Sequence, residues 1–222
     1  MKNLIVIAII FMMVLSMYAQ EEKPFMEKGA KALLFEFSGL DDIGANSYRG
    51  GFGAKYFWSN DLAIRGSLQF ANIRENIPFQ GTDGVDGYEK ASQFGLLAAV
   101  EKHLTTNRLS PYFGGGLGFS FTSTEEKTAA ADTDVQITYK NGSVFDGDFR
   151  GETEFQVFGM IGAEIFILRM LSLSAEYQLV YAKSSAKDYE VTQGTTTQTF
   201  KQGNIRGFGI ISVGVLTVAV YF

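Results

Sequence analysis

The stretch LAIRGSLQFAN, Leu62 to Asn72, sorts its residues by twos. Leu62, Ile64, Gly66, Leu68 and Phe70 fall on one side, and Ala63, Arg65, Ser67, Gln69 and Ala71 on the other. A strand sends alternate side chains to opposite faces, whereas a 3.6-residue helical repeat mixes the two sets. The same sorting recurs from Leu171 to Tyr181. There Leu171, Leu173, Ala175, Tyr177, Leu179 and Tyr181 oppose Ser172, Ser174, Glu176, Gln178 and Val180.

Working outward, eight such segments can be placed, at 31–38, 49–58, 62–72, 92–103, 112–122, 154–166, 171–182 and 205–222. Most exceed the roughly 5–6 residues of an ordinary strand and suit a tilted membrane crossing of about 9–11. Their connections alternate in length. Residues 59–61, 104–111 and 167–170 are short, while 39–48, 73–91, 123–153 and 183–204 are long and hold most of the Asp, Thr, Lys and Glu. In an antiparallel meander the short turns then share one end and the long loops the other, as in outer-membrane barrels. The expected fold is an all-β, closed, antiparallel, eight-stranded transmembrane β-barrel of up-and-down topology. Closure removes the two free edges that hydrocarbon cannot solvate.

Composition agrees. The 222-residue chain holds 25 Gly, 20 Phe and 10 Tyr but only 3 Pro and no Cys, with net charge −5. The acidic balance argues against nucleic acid as a partner. The absence of Cys excludes thiolate chemistry and a disulfide framework, and the single histidine, His103, argues against a His-based metal site. No cofactor is expected. Lys2, the apolar run from Leu4 to Leu15 and the small residue Ala19 describe a secretory signal peptide over residues 1–19. Residues 20–222 then form the barrel domain.

Parity alone does not say which face meets lipid, because a soluble lipocalin-type barrel alternates in the inverse sense. Composition decides. Leu33, Phe35, Phe37, Phe52, Tyr56, Trp58, Phe113, Leu117, Phe119 and Phe121 are too bulky for the interior of eight strands and suit a lipid-facing band with aromatic girdles. The other face is mostly Gly, Ala, Ser and Gln, with the charges Glu36, Lys55, Arg65, Glu101, Glu164 and Glu176. These six are expected in the half of the lumen nearer the short turns, as a plug of ion pairs or, because acids outnumber bases four to two, as a narrow cation-preferring path. In Ser110-Pro111-Tyr112-Phe113-Gly114-Gly115-Gly116-Leu117-Gly118, the glycines Gly114, Gly116 and Gly118 face inward and leave room for Phe158 and Met160.

That segment, Leu171-Ser172-Leu173-Ser174-Ala175-Glu176-Tyr177 and the ending Val218-Ala219-Val220-Tyr221-Phe222 together resemble the small outer-membrane β-barrel domain family, the eight-stranded OmpA- and OmpX-like barrels of Gram-negative bacteria. The resemblance spans the whole mature chain. It implies a monomer in the cell outer membrane, with both termini in the periplasm and outer-membrane lipid around it. It also implies an assembly signal, Leu216, Val218, Val220 and Phe222, read by the barrel-assembly machinery. One departure is the apolar set Ile211, Val213 and Val215 on the opposite face, which a bulge near 207–214 could accommodate.

The expected role is structural or surface-interacting, through long extracellular loops and an extracellular ligand, without catalysis. A narrow porin-like pore is one alternative and a lipid-modifying barrel enzyme another. For the enzyme, His103 is the only candidate acid–base group, and it reads as a rim histidine at the periplasmic end. Within the longest loop, VQITYKNGSVFDGDF (135–149) alternates again and holds Asn141-Gly142, a strong two-residue hairpin signal. A tip there predicts one extended hairpin in which Phe121 opposes Gly162 and Phe113 opposes Met170.

Overall fold

The computed structural model describes residues 26–38, 47–81, 83–147, 149–202 and 210–222. The expected signal peptide, 1–19, lies outside the described residues. Eleven antiparallel strands form one sheet: β1 (Lys31–Ser38), β2 (Ser47–Phe57), β3 (Leu62–Ile77), β4 (Gly87–His103), β5 (Leu109–Lys127), β6 (Ile137–Lys140), β7 (Glu152–Leu168), β8 (Leu171–Ala186), β9 (Tyr189–Gln193), β10 (Thr196–Phe200) and β11 (Ile210–Tyr221). Neighbour pairing runs β1–β2–β3–β4–β5–β7–β8–β11 and returns to β1, so the ring closes. Closure of β11 on β1 pairs Ala32 with Tyr221 and Phe35 with Val218. Backbone bonds link Phe222 and Lys31 in both directions.

The remaining strands, β6, β9 and β10, make an extension that the eight-strand expectation lacks. Strand β6 pairs with the far end of β5, β9 with β6, and β10 with β9. Strands β3, β4, β5, β7 and β8 also run longer than expected. The loop placed at 73–91 contracts to 78–86, because the charged residues Arg74, Glu75, Glu89 and Lys90 continue the β3–β4 ladder. Polar composition disguised these strand ends as loop; their backbone pairing does not depend on apolar side chains.

The extended hairpin with its tip at Asn141-Gly142 is not formed. Phe113 pairs with Ile161 and Phe121 with Thr153, nine residues short of Met170 and Gly162. The expected register was inconsistent with its own parity. Directly opposed antiparallel residues share a face, so outward Phe121 could not oppose inward Gly162. The chain instead turns back after Lys127, and β6 takes the place of β7 beside Glu125–Lys127. Asn141, at φ 57°, sits where β6 hands over to β7. Its N–H donates to the Thr124 carbonyl, and the Thr124 hydroxyl donates to the Gly142 carbonyl. The tight turn falls at Phe145–Gly147, closed by the Val144–Phe149 bridge.

The faces separate as composition demands. Leu33, Phe35, Phe52, Tyr56, Trp58, Phe113, Leu117, Phe119 and Phe121 are exposed on the outside of the ring. Inside, Gly114 and Gly116 are required by close approach. A β-carbon on Gly114 would lie 2.7 Å from Met160 Cε, and one on Gly116 2.6 Å from Phe158 Cζ. Register along β11 is continuous from Ile210 to Val220 against β8, so no bulge interrupts that part of the strand. Val215 points inward and is buried.

Candidate functional site: the lumen and the two faces of its rim

Three layers fill the lumen from the short-turn end. The first is apolar: Met26, Phe57, Phe166 and Tyr221 are buried together with Ala30, Ala32 and Leu34. Gly29, at φ +94°, donates its N–H to the Phe57 carbonyl and folds the segment before β1 under this layer.

The second layer is ionic. Inward parity on β1, β2, β3, β4, β7 and β8 delivers Glu36, Lys55, Arg65, Glu101, Glu164 and Glu176 to one level, all buried. Lys55 Nζ lies 2.7 Å from Glu101 and 3.2 Å from Glu164. Arg65 Nη1 lies 3.0 Å from Glu101 and 2.9 Å from Glu176, and its Nε 3.9 Å from Glu36. The guanidinium donates from both terminal nitrogens to Glu176, a bidentate geometry that fixes its plane. Six residues singled out in the sequence thus form one cluster. Sequence reasoning missed their neutral partners. Tyr112 donates to Glu176 at 2.9 Å and Tyr221 to Glu164 at 2.6 Å; Ser172 also donates to Glu164, and Gln178 to Glu176. The signal was present, because each shares inward parity with a charge on its own strand or sits beside an outward aromatic.

His103 is corrected from a rim position to a buried one. It shares the inward face with Glu101, two residues earlier, and its ring lies between those of Phe57 and Tyr112 at 5.3 and 5.2 Å. Nδ1 is 2.9 Å from Ser110 Oγ, and Nε2 is 3.5 Å from Glu101 and 4.0 Å from Glu164. Ser, His and Glu therefore stand at triad-like distances. Ser110, however, donates its hydroxyl to the Thr105 carbonyl, so it accepts from His103 Nδ1. That polarity is opposite to a histidine acting as base on serine, and all three side chains are sealed from solvent and lipid.

The third layer, Tyr112, Phe158, Met160, Val180 and Ala182, closes over the ions. Above it a cavity of about 190 Å³ is lined by Gln69, Gln93, Ser120, Glu154, Gln156 and Gln178. Among the described residues no group of His, Cys, Asp and Glu has metal-binding geometry.

At the long-connection end, alternation separates charge by face. Glu75, Glu89 and Glu126 are opposed in one row inside the rim. Burial, and then the neighbouring Glu89, pushes the Glu126 carboxyl above its usual value. Arg74, Lys90, Glu125 and Lys140 are opposed in one row outside it.

A closed antiparallel ring with a polar, ion-filled lumen and an apolar, aromatic exterior defines an integral β-barrel of the membrane. The chain belongs to a family of such barrels, the outer membrane protein beta-barrel domain, whose model matches residues 6–205. No curated protein matches the chain. Among solved structures it is similar to the attachment invasion locus protein Ail of Yersinia pestis, at 15% identity over 88% of this chain and 99% of that one, TM-score 0.40. It is similar also to OprG from Pseudomonas aeruginosa, at 9% identity over 90% and 99%, TM-score 0.47. A third is a major outer membrane protein from Thermus thermophilus, at 11% identity over 87% and 99%, TM-score 0.49.

Proposed function

We propose that this outer-membrane barrel is a non-conducting surface protein that works through the strands and loops of its long-connection end. The observation that carries the reading is the filled lumen. An apolar floor, a six-charge ion layer and the Phe158–Met160 layer lie in series across a bore that eight strands leave barely wide enough for side chains. What the barrel offers to another molecule is then the extension β6–β9–β10. Its last strand, Thr196–Phe200, is exposed along its whole length, and Tyr139, Tyr189 and Phe200 form an aromatic series across it. In this reading the long-connection end is extracellular, the short turns and both termini are periplasmic, and a leader over residues 1–19 directs export. The outward row Leu216, Val218, Val220 and Phe222 serves as the contact for the barrel-assembly machinery.

Planar-bilayer recording of the purified full-length barrel tests the reading. No discrete conductance steps are expected. Steps that change with Lys55→Ala or Arg65→Ala would overturn it in favour of the pore. That second reading draws on the 190 Å³ cavity above the ion layer and on four carboxylates facing two strong cations. Catalysis is not proposed, because His103 and Ser110 are enclosed below the ion layer.

A further inference from the structure

The outer surface of β3, β4, β5 and β6 carries three consecutive rows of different chemistry. Phe70, Phe94 and Phe121 oppose one another in the first. Asn72, Ser92 and Ser123 form the next, two residues further from the short turns. Arg74, Lys90, Glu125 and Lys140 form the third. From Leu62 to Asn72 the outward residues of β3 rise about 25 Å, given ~3.3 Å per residue and a ~40° tilt, which is the height of the apolar band of such barrels. The aromatic row therefore sits at the top of the hydrocarbon, and the basic row about 10 Å beyond it, at headgroup level.

We propose that these rows form a binding site for one phosphorylated glycolipid of the surrounding outer leaflet. Acyl chains lie on Phe70, Phe94 and Phe121, sugar hydroxyls meet Asn72, Ser92 and Ser123, and a phosphate meets Arg74, Lys90 and Lys140. A depression of about 280 Å³, lined by Lys90, Ser92, Ser123, Thr124, Glu125, Lys140 and Asn141, receives the headgroup. The cations are available. None of the three makes an ion pair among the described residues, and Arg74 lies 4.4 Å over the Tyr88 ring. Glu125, the acid in the row, accepts a hydrogen bond from the Tyr88 hydroxyl, and Glu190 opposes Lys140 at its far edge. Charge sorting supports the assignment, since at this height the acids Glu75, Glu89 and Glu126 face inward while the outer row, with Glu190 included, holds three cations to two acids. A middle row of amide and hydroxyl groups favours a glycolipid over a glycerophospholipid, whose phosphate has no sugar ring between it and its acyl chains.

The site rests on the outward orientation of the long-connection end, so its test has two parts. In native mass spectrometry the full-length barrel is titrated with an acylated, bis-phosphorylated glucosamine disaccharide, its dephosphorylated counterpart and phosphatidylglycerol. Three exposed ion pairs support a difference of about tenfold or more in affinity between the wild type and Arg74→Gln/Lys90→Gln/Lys140→Gln. Dephosphorylation should cost as much, phosphatidylglycerol should bind more weakly, and Lys183→Gln on the outer face of β8 should change nothing. Heat-modifiable migration shows that each variant is folded. Equal binding by the triple variant or by the dephosphorylated lipid overturns the site, and tighter phosphatidylglycerol binding overturns the glycolipid assignment. Separately, Thr195→Cys in the β9–β10 turn should react with a membrane-impermeant thiol reagent on intact cells. Reaction only after membrane rupture overturns the proposed orientation and, with it, the assignment to this leaflet. Loss of the mass-spectrometric difference in a barrel that labels normally overturns the lipid site alone.

Discussion

Arg65 touches three carboxylates in a buried lumen, and its removal leaves Glu36 and Glu176 without their cation while Glu101 keeps Lys55. Breaking one partner out of a buried pair costs about 3–5 kcal/mol, more than the pair itself contributes, because the orphaned charge stays desolvated. Arg65→Ala should lower the unfolding free energy in urea by that amount; a change under about 1 kcal/mol would mean that water solvates this level of the lumen. Glycines divide by the same physical test. Gly116 has no space for a β-carbon, so Gly116→Ala should destabilise by about 1–3 kcal/mol, whereas Gly159 has nothing within 4 Å and Gly159→Ala should be close to neutral. The inward place of Gly116 was legible from parity. Phe158 as the residue it makes room for was legible too, but the distances that make alanine costly came from register.

Among elements, the far ends of β4 and β5 carry the opposed acids Glu89 and Glu126. The Glu126 carboxyl titrates above its usual value because of burial and then Glu89. A carboxyl raised in the folded state keeps its proton there, so its contribution is complete below the ordinary value near 4.3 and lost as pH rises through the raised one. Amide protection at the outer ends of β4 and β5 should therefore be greater at about pH 4 than at about pH 7, and Glu126→Gln should level the two. Equal protection in the wild type would show that the Glu89–Glu126 row is solvated. The strand character of β6 was legible in the alternation of 135–140, but its pairing was not, and β9 and β10 lie in a stretch that reads as loop. Each has only four or five residues; β9 and β10 pair locally, but the pairing of β6 with β9 joins connections about fifty residues apart along the chain.

For the whole molecule, the filled lumen predicts a barrel without conductance, and the Arg65 variant separates a plug from a gate. Strand periodicity, strand length and aromatic bulk were enough to derive from sequence a closed all-β barrel with its apolar face outward. The reason is that hydrocarbon imposes one local rule on every strand, which each strand can show by itself. The same parity collected Glu36, Lys55, Arg65, Glu101, Glu164 and Glu176 on the inner face. Which carboxylate meets which cation required register, because a pair such as Lys55 and Glu164 is brought together only by closure of the ring. His103 shares inward parity with Glu101, but its position near a strand end made it look like a rim residue, and the packing of Phe57 and Tyr112 around it is what buries it. The Asn141-Gly142 turn failed for the complementary reason. Its local signal was real, but β5 had a better partner for its far end in β6, and that choice is made between strands rather than within one.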